Sequence, residues 1–276
     1  MASTGVACTT AHKADTLRAR SNYLHTMLRL LITQDLRQRF TGNVLGGLWA
    51  VLAPLLQLLV FAVVFVHIFK ARVPGLDERG YIAFLALGMW PWFAFAEAVS
   101  RGASSLVDGA GLLGKVAVST WQLVLARVIG AFIIHGVGFV AVLILLSVWR
   151  GGIHLEWLPV VLPGWIAMFV LALAVAQIVA ICTVFARDTQ QILGHLLTAW
   201  MFLTPILYAP SLVPPMFQAW MRINPMTDVI ASIREPLLWG GEAVMWSWLP
   251  YVVAGVLLGL AWLVHRRFRP YVREFL

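Results

Sequence analysis

Charge is what this chain has least of. Only 12% of its 276 residues are Asp, Glu, Lys or Arg, roughly half the share usual in soluble domains. With 61% hydrophobic residues as well, it is not a solvated globular domain, and its length leaves room for one membrane domain and little else. Cysteine is scarce too. Cys8 and Cys182 fall in a polar tail and near the end of a hydrophobic run, which excludes a disulfide framework. No P-loop and no serine in a nucleophile elbow occurs. The histidines are scattered, with none three or four residues from another, so no helical metal pair is available. Acids stand singly, apart from Asp77-Glu78, where a membrane transferase that holds Mg²⁺ needs them clustered. Enzymatic activity is therefore not expected, and neither is a metal or cofactor in this chain. The first 23 residues are polar and read as a cytoplasmic tail, not a signal peptide or anchor.

What is present is a series of apolar runs. Six spans are expected, at about residues 45–69, 81–100, 123–149, 158–185, 192–208 and 249–264. Of 20 Lys and Arg residues, 14 lie on the side of the N-terminus, so the positive-inside rule puts both termini in the cytoplasm. The net charge of +8 then reads as topology and headgroup attraction, and no basic stretch is interleaved with aromatics as a nucleic-acid groove requires.

Two segments are neither span nor loop. Over residues 24–40, Leu24, Leu28, Ile32, Leu36 and Phe40 recur every fourth position with Leu31 beside them, while Arg29, Thr33, Arg37 and Gln38 hold the other face. This is an amphipathic helix suited to the membrane interface, as an anchor, a docking surface for a cytoplasmic partner, or both. Over residues 204–239, Pro205, Pro210, Pro214, Pro215 and Asn224-Pro225 punctuate apolar pieces too short to cross about 30 Å of hydrocarbon. Irregular backbone at membrane depth persists only where protein or a watery cavity covers it. The segment is expected to form short re-entrant helices that close the outer mouth of a path.

Polar residues inside spans test for ion coupling. Glu97 stands four residues before Arg101 and is expected to pair with it or to snorkel, while His135, in a Gly-rich stretch, is expected to be a packing histidine. Neither pattern makes a proton relay. The energy for uphill transport must then come from another chain or from an ion gradient.

Four motif sets carry a resemblance. They are Asp35-Leu36-Arg37-Gln38-Arg39-Phe40 with Gly46-Gly47-Leu48-Trp49 and Pro54; Gly88-Met89-Trp90-Pro91-Trp92-Phe93-Ala94-Phe95 with Leu112-Leu113-Gly114-Lys115-Val116; Ala186-Arg187-Asp188-Thr189; and Thr204-Pro205-Ile206-Leu207-Tyr208 with Asn224-Pro225 and Ile233-Arg234-Glu235. In this order and spacing the chain resembles the membrane subunit of type 2 ABC exporters, in particular the O-antigen and teichoic-acid export permeases. One departure is Val118-Ser119, where relatives carry Phe-Pro.

The resemblance implies an all-α, six-span permease in the bacterial inner membrane, acting as a homodimer with two cytoplasmic ATP-binding subunits that bind the ATP and Mg. Its implied cargo is a lipid-linked polysaccharide. Arg29, Arg37, Arg39, Leu112, Leu113, Lys115, Arg187 and Asp188 are then expected to contact the ATPases. Residues 1–23 form the tail, 24–40 the interface helix and 41–276 the membrane domain. Trp49, Trp149, Trp157, Trp246 and Trp248 fit an interfacial belt. Trp90, Trp92, Phe93, Phe95, Trp200, Phe202 and Tyr208 lie deeper, as core packing or as a ring-lined path on which sugar faces slide. A drug or lipid exporter of the same superfamily, an ion-coupled carrier and a membrane enzyme of lipid-linked sugar assembly are the competing readings.

Overall fold

The computed structural model describes residues 23, 25–39, 48–113, 118–149, 151–243 and 247–276. Most of the expected tail, Leu24, Phe40, Gly46-Gly47, Lys115 and Trp246 lie outside the described residues. Helix α1 (25–39) precedes α2 (Trp49–Ala62), which runs into a π-helical turn over Val63–Ile68. Then come α3 (Glu78–Asp108), the single turn α4 (Ala110–Leu113), α5 (Thr120–Trp149), α6 (Leu158–Phe185), α7 (Thr189–Leu203), α8 (Pro215–Ile223), α9 (Pro225–Trp239) and α10 (Leu249–Phe275). Every regular element among the described residues is helical.

Among the described residues, five stretches are long and apolar enough to cross a membrane: Val51–Ile68, Glu78–Asp108, Thr120–Trp149, Leu155–Phe185 and Leu249–Val272. The fifth expected span, 192–208, falls short. Helix α7 has 15 residues, about 22 Å of rise. It ends because Thr204 turns to an extended conformation and Pro205 offers no backbone donor to continue the ladder.

Helices α3 and α6 form the centre, with α5, α9 and α10 packed around them. Small residues explain why α3 can sit there: Ala83, Ala86, Gly88, Ala94, Ala98, Gly102 and Ala103 are all buried and let neighbouring backbones approach. Gly138 of α5 shows the effect most directly, because the Trp90 ring occupies the place a β-carbon there would take. The Trp90 indole N–H then donates to the His135 carbonyl at 2.9 Å. Helix α3 starts on Asp77, whose carboxylate accepts from the Gly80 N–H at 2.8 Å.

The segment expected to be wholly a gate has two parts. Helix α8 is mostly exposed, with Met216, Phe217, Trp220 and Ile223 uncovered. Helix α9 is core instead, with Met226, Val229, Ile230, Ile233 and Leu237 buried against α6 and α3.

Candidate functional site

The backbone that breaks after α7 leaves carbonyls without helical partners, and in a membrane each must be satisfied from elsewhere. Arg234 of α9 supplies one partner, donating to the Pro205 carbonyl at 2.9 Å with its guanidinium 3.7 Å above the Phe84 ring. Tyr81 of α3 supplies another, its hydroxyl donating to the Leu207 carbonyl at 2.8 Å. Asn224 ties the turn to α9. Its carbonyl oxygen accepts from the Trp200 indole at 2.8 Å and the Met226 N–H at 3.1 Å, and its amide donates to the Thr204 hydroxyl at 2.9 Å. Among the expected gate residues, Asn224 is therefore the fastener. Pro205 is buried in the turn, Pro225 opens α9 half-buried, and Pro210, Pro214 and Pro215 lie on the exposed stretch.

A groove of about 640 Å³ runs between α2, α3 and α7. Helix α2 contributes Trp49, Gln57 and Phe61, α3 contributes Trp92, Phe93 and Glu97, and Phe202 comes from α7. Three of the seven expected path aromatics thus line one surface: Trp92, Phe93 and Phe202. Trp90 and Phe95 are core. Phe95 and Trp200 pack behind Trp92 with ring centroids 5.3 Å apart, while Trp200 and Tyr208 border a separate apolar pocket of about 650 Å³ with α8. Trp49, expected in the interfacial belt, faces the groove as well.

At its α1 end the groove meets a cluster of charges. Asp35 is 3% exposed and takes Arg101 of α3 and Arg127 of α5, each at 2.5 Å, with Arg39 at 3.4 Å. Glu97 takes Arg39 at 2.7 Å and His135 at 2.8 Å. The expected partner, Arg101, is only at 3.9 Å. Glu97 is thus tied to the interface helix more closely than to its own, and His135 is a hydrogen-bonded member of the cluster. Burial lowers the Arg39 pKa from its ordinary value, and Glu97 opposes that shift by favouring the charged form. Gly130 makes the arrangement possible, because a β-carbon there would collide with the Asp35 carboxylate.

Sequence reading named Asp35 only within a motif and Arg101 only as a partner for Glu97, and it missed Arg127, Gly130 and the cluster itself, although a signal exists. Asp35 lies four residues after Leu31 and three after Ile32, on the apolar face of α1. An acid in that position has to find a cation on whatever the helix packs against.

The residues expected to meet an ATPase divide in the same way. Arg29, Arg37, Arg187 and Asp188 are exposed. Arg39 is turned inward, Leu113 is buried and Leu112 half-buried. The connection after α3 also carries Gly109, Gly111 and Gly114 at Gly-x-Gly-x-x-Gly spacing, a pattern that sequence reading wrongly took to be absent. It follows a helix and not a strand, so the dinucleotide-binding context is missing.

Together these features define a multi-span helical membrane protein with a ring-lined groove and an interface helix pinned to the bundle by ions. Residues 26–238 match the ABC-2 type transporter family, and the chain belongs to it. It is 28% identical to the O-antigen export system permease protein RfbA of Myxococcus xanthus, over 90% of this chain and 94% of that protein. It is 25% identical to a Klebsiella pneumoniae protein of the same name, over 87% and 91% respectively. Identity to the polysialic acid transport protein KpsM of Escherichia coli is 26%, over 84% of this chain and 90% of that one.

Proposed function

We propose that this chain is the channel-forming permease subunit of an ATP-driven exporter that carries a lipid-linked polysaccharide out across the bacterial inner membrane. The observation that carries the reading is the groove: aromatic faces and a few polar groups, at a depth where an exposed Gln57 would be costly against lipid. Weak contact spread over many rings suits a polymer that must both enter and leave. The names of the relatives, matched over most of both chains, support the same cargo.

In this reading the chain crosses the membrane six times, with α7 and the turn after it making the short fifth crossing, and both termini are cytoplasmic. Two copies pair through the apolar faces that α2, α7 and α8 leave uncovered, where Leu59, Leu203 and Trp220 are exposed. Two ATP-binding subunits dock on the exposed side of α1, near Arg29 and Arg37, and on the cytoplasmic connections that include Lys115, Arg187 and Asp188. They bind the ATP and Mg. The charge cluster then passes movement of α1 to α3 and α5, and the segment from Pro205 to Pro225 closes the outer mouth between substrates.

Phe93→Ala tests the groove. Phe93 is half-buried and lines the wall, so its loss is expected to lower surface glycan severalfold while assembly with the ATPase is kept. Trp92→Ala is the poorer probe, because Trp92 is 3% exposed and packed on Phe95 and Trp200. Normal export by Phe93→Ala would remove the groove from the path. A second reading, an ion-coupled carrier, draws on the Glu97–His135 pair at the groove wall. Collapsing the proton gradient with ATP maintained separates the two: export should persist for the ATP-driven permease and stop for the carrier.

A further inference from the structure

We propose that the groove is built for an uncharged glycan and selects against a polyanionic one. The inference rests on the reading of the groove as the glycan path, and it names the charge class of the cargo. Among the described residues that line the groove, the only acid is Glu97, and it is hydrogen-bonded to His135, which lines the groove beside it. No lysine or arginine is among the described lining residues. The cations nearest Glu97 are tied into the buried ion pairs. Arg39, only 7% exposed, reaches Glu97 and Asp35 together, and Arg101 bonds to Asp35. Both are engaged with the buried acids, and neither is among the described residues that line the groove.

The rest of the wall suits hydroxyl-bearing sugar. Trp49, Phe61 and Phe93 offer ring faces to the C–H faces of pyranoses. Gln57, Ser100 and the Glu97 oxygens offer partners to hydroxyls. A polymer with a carboxylate on every residue would have to leave water along a wall that supplies no countercharge and presents one carboxylate of its own, which is unfavourable. Of the two cargo types named among the relatives, polysialic acid is such a polymer. The groove is the wrong chemistry for it.

The test is tryptophan fluorescence of the full-length chain in nanodiscs, where Trp49 and Trp92 report on the groove. It is titrated with a neutral mannan hexasaccharide and, separately, with a sialic acid hexamer. The neutral sugar is expected to half-saturate at a concentration about tenfold lower than the acidic one. Gln57→Lys, which puts a cation on the exposed wall of α2, should narrow or invert that difference without loss of fold. Equal or tighter binding of the sialic acid hexamer to the wild-type chain would overturn the charge-class inference and leave the groove as a glycan path. A fluorescence response to neither sugar would overturn the glycan path itself, and this inference with it.

Discussion

Replacing Asp35 by asparagine is expected to loosen α1 from the bundle and abolish export. The substitution keeps the shape of the side chain but removes the charge that faces Arg101 and Arg127 at 2.5 Å. Three guanidinium groups would then share one carboxylate, Glu97. Breaking one side of a buried ion pair costs about 3–5 kcal/mol, because the remaining charges stay desolvated. The melting temperature of the purified chain should fall, and ATP hydrolysis by the co-purified ATPase should persist without glycan movement. Combining Asp35→Asn with Arg127→Met removes one of the two unbalanced charges and should recover part of the lost stability. An additive double variant would show that the two do not interact. Gly130→Ala approaches the same contact from the other side, pushing a methyl into the Asp35 carboxylate, and should cost about 1–3 kcal/mol. An unchanged melting temperature in both single variants would mean that α1 is not held by this cluster.

The second large effect is expected at Asn224. Its side chain caps α9, accepts from the Trp200 indole and donates to Thr204. Alanine there removes the cap, worth about 1 kcal/mol, and leaves a Trp200 donor without its partner, at roughly 1–3 kcal/mol. Because these contacts, with the Arg234 bond to the Pro205 carbonyl, hold the turn after α7 to α9, the loss should appear locally. Vesicles containing Asn224→Ala are expected to leak small sugars at rest, where wild-type vesicles stay tight. Replacing Asn224-Pro225 by a pair that continues the helix should do the same. Unchanged resting permeability together with normal export would remove the gate from this segment.

Much of the fold was legible because hydrophobic runs of span length are a strong signal, and all five span-length stretches among the described residues lie where such runs were expected. The amphipathic helix was legible through its four-residue period. The broken segment was legible as broken, since proline leaves few alternatives. What sequence did not resolve was depth and facing. Helix α9 reads as a short re-entrant piece of the gate, yet its pattern of Met226, Val229, Ile230, Ile233 and Leu237 is a buried stripe. Trp90 and Trp92 are two residues apart on one helix, so they point in different directions, one into α5 and one to the groove. Charge was hardest of all. Asp35, Glu97, Arg101 and Arg127 are scattered along the chain, and only the packing of α1, α3 and α5 brings them within hydrogen-bond reach.

The measurement that tests the account most directly is glycan translocation in sealed vesicles holding this chain and its ATPase, started from a lipid-linked glycan on the ATPase side. The account predicts appearance of the glycan on the far side that requires ATP, ignores collapse of the proton gradient, and falls severalfold in Phe93→Ala while ATP hydrolysis continues. Translocation that proceeds without ATP, or at the wild-type rate in Phe93→Ala, would contradict it.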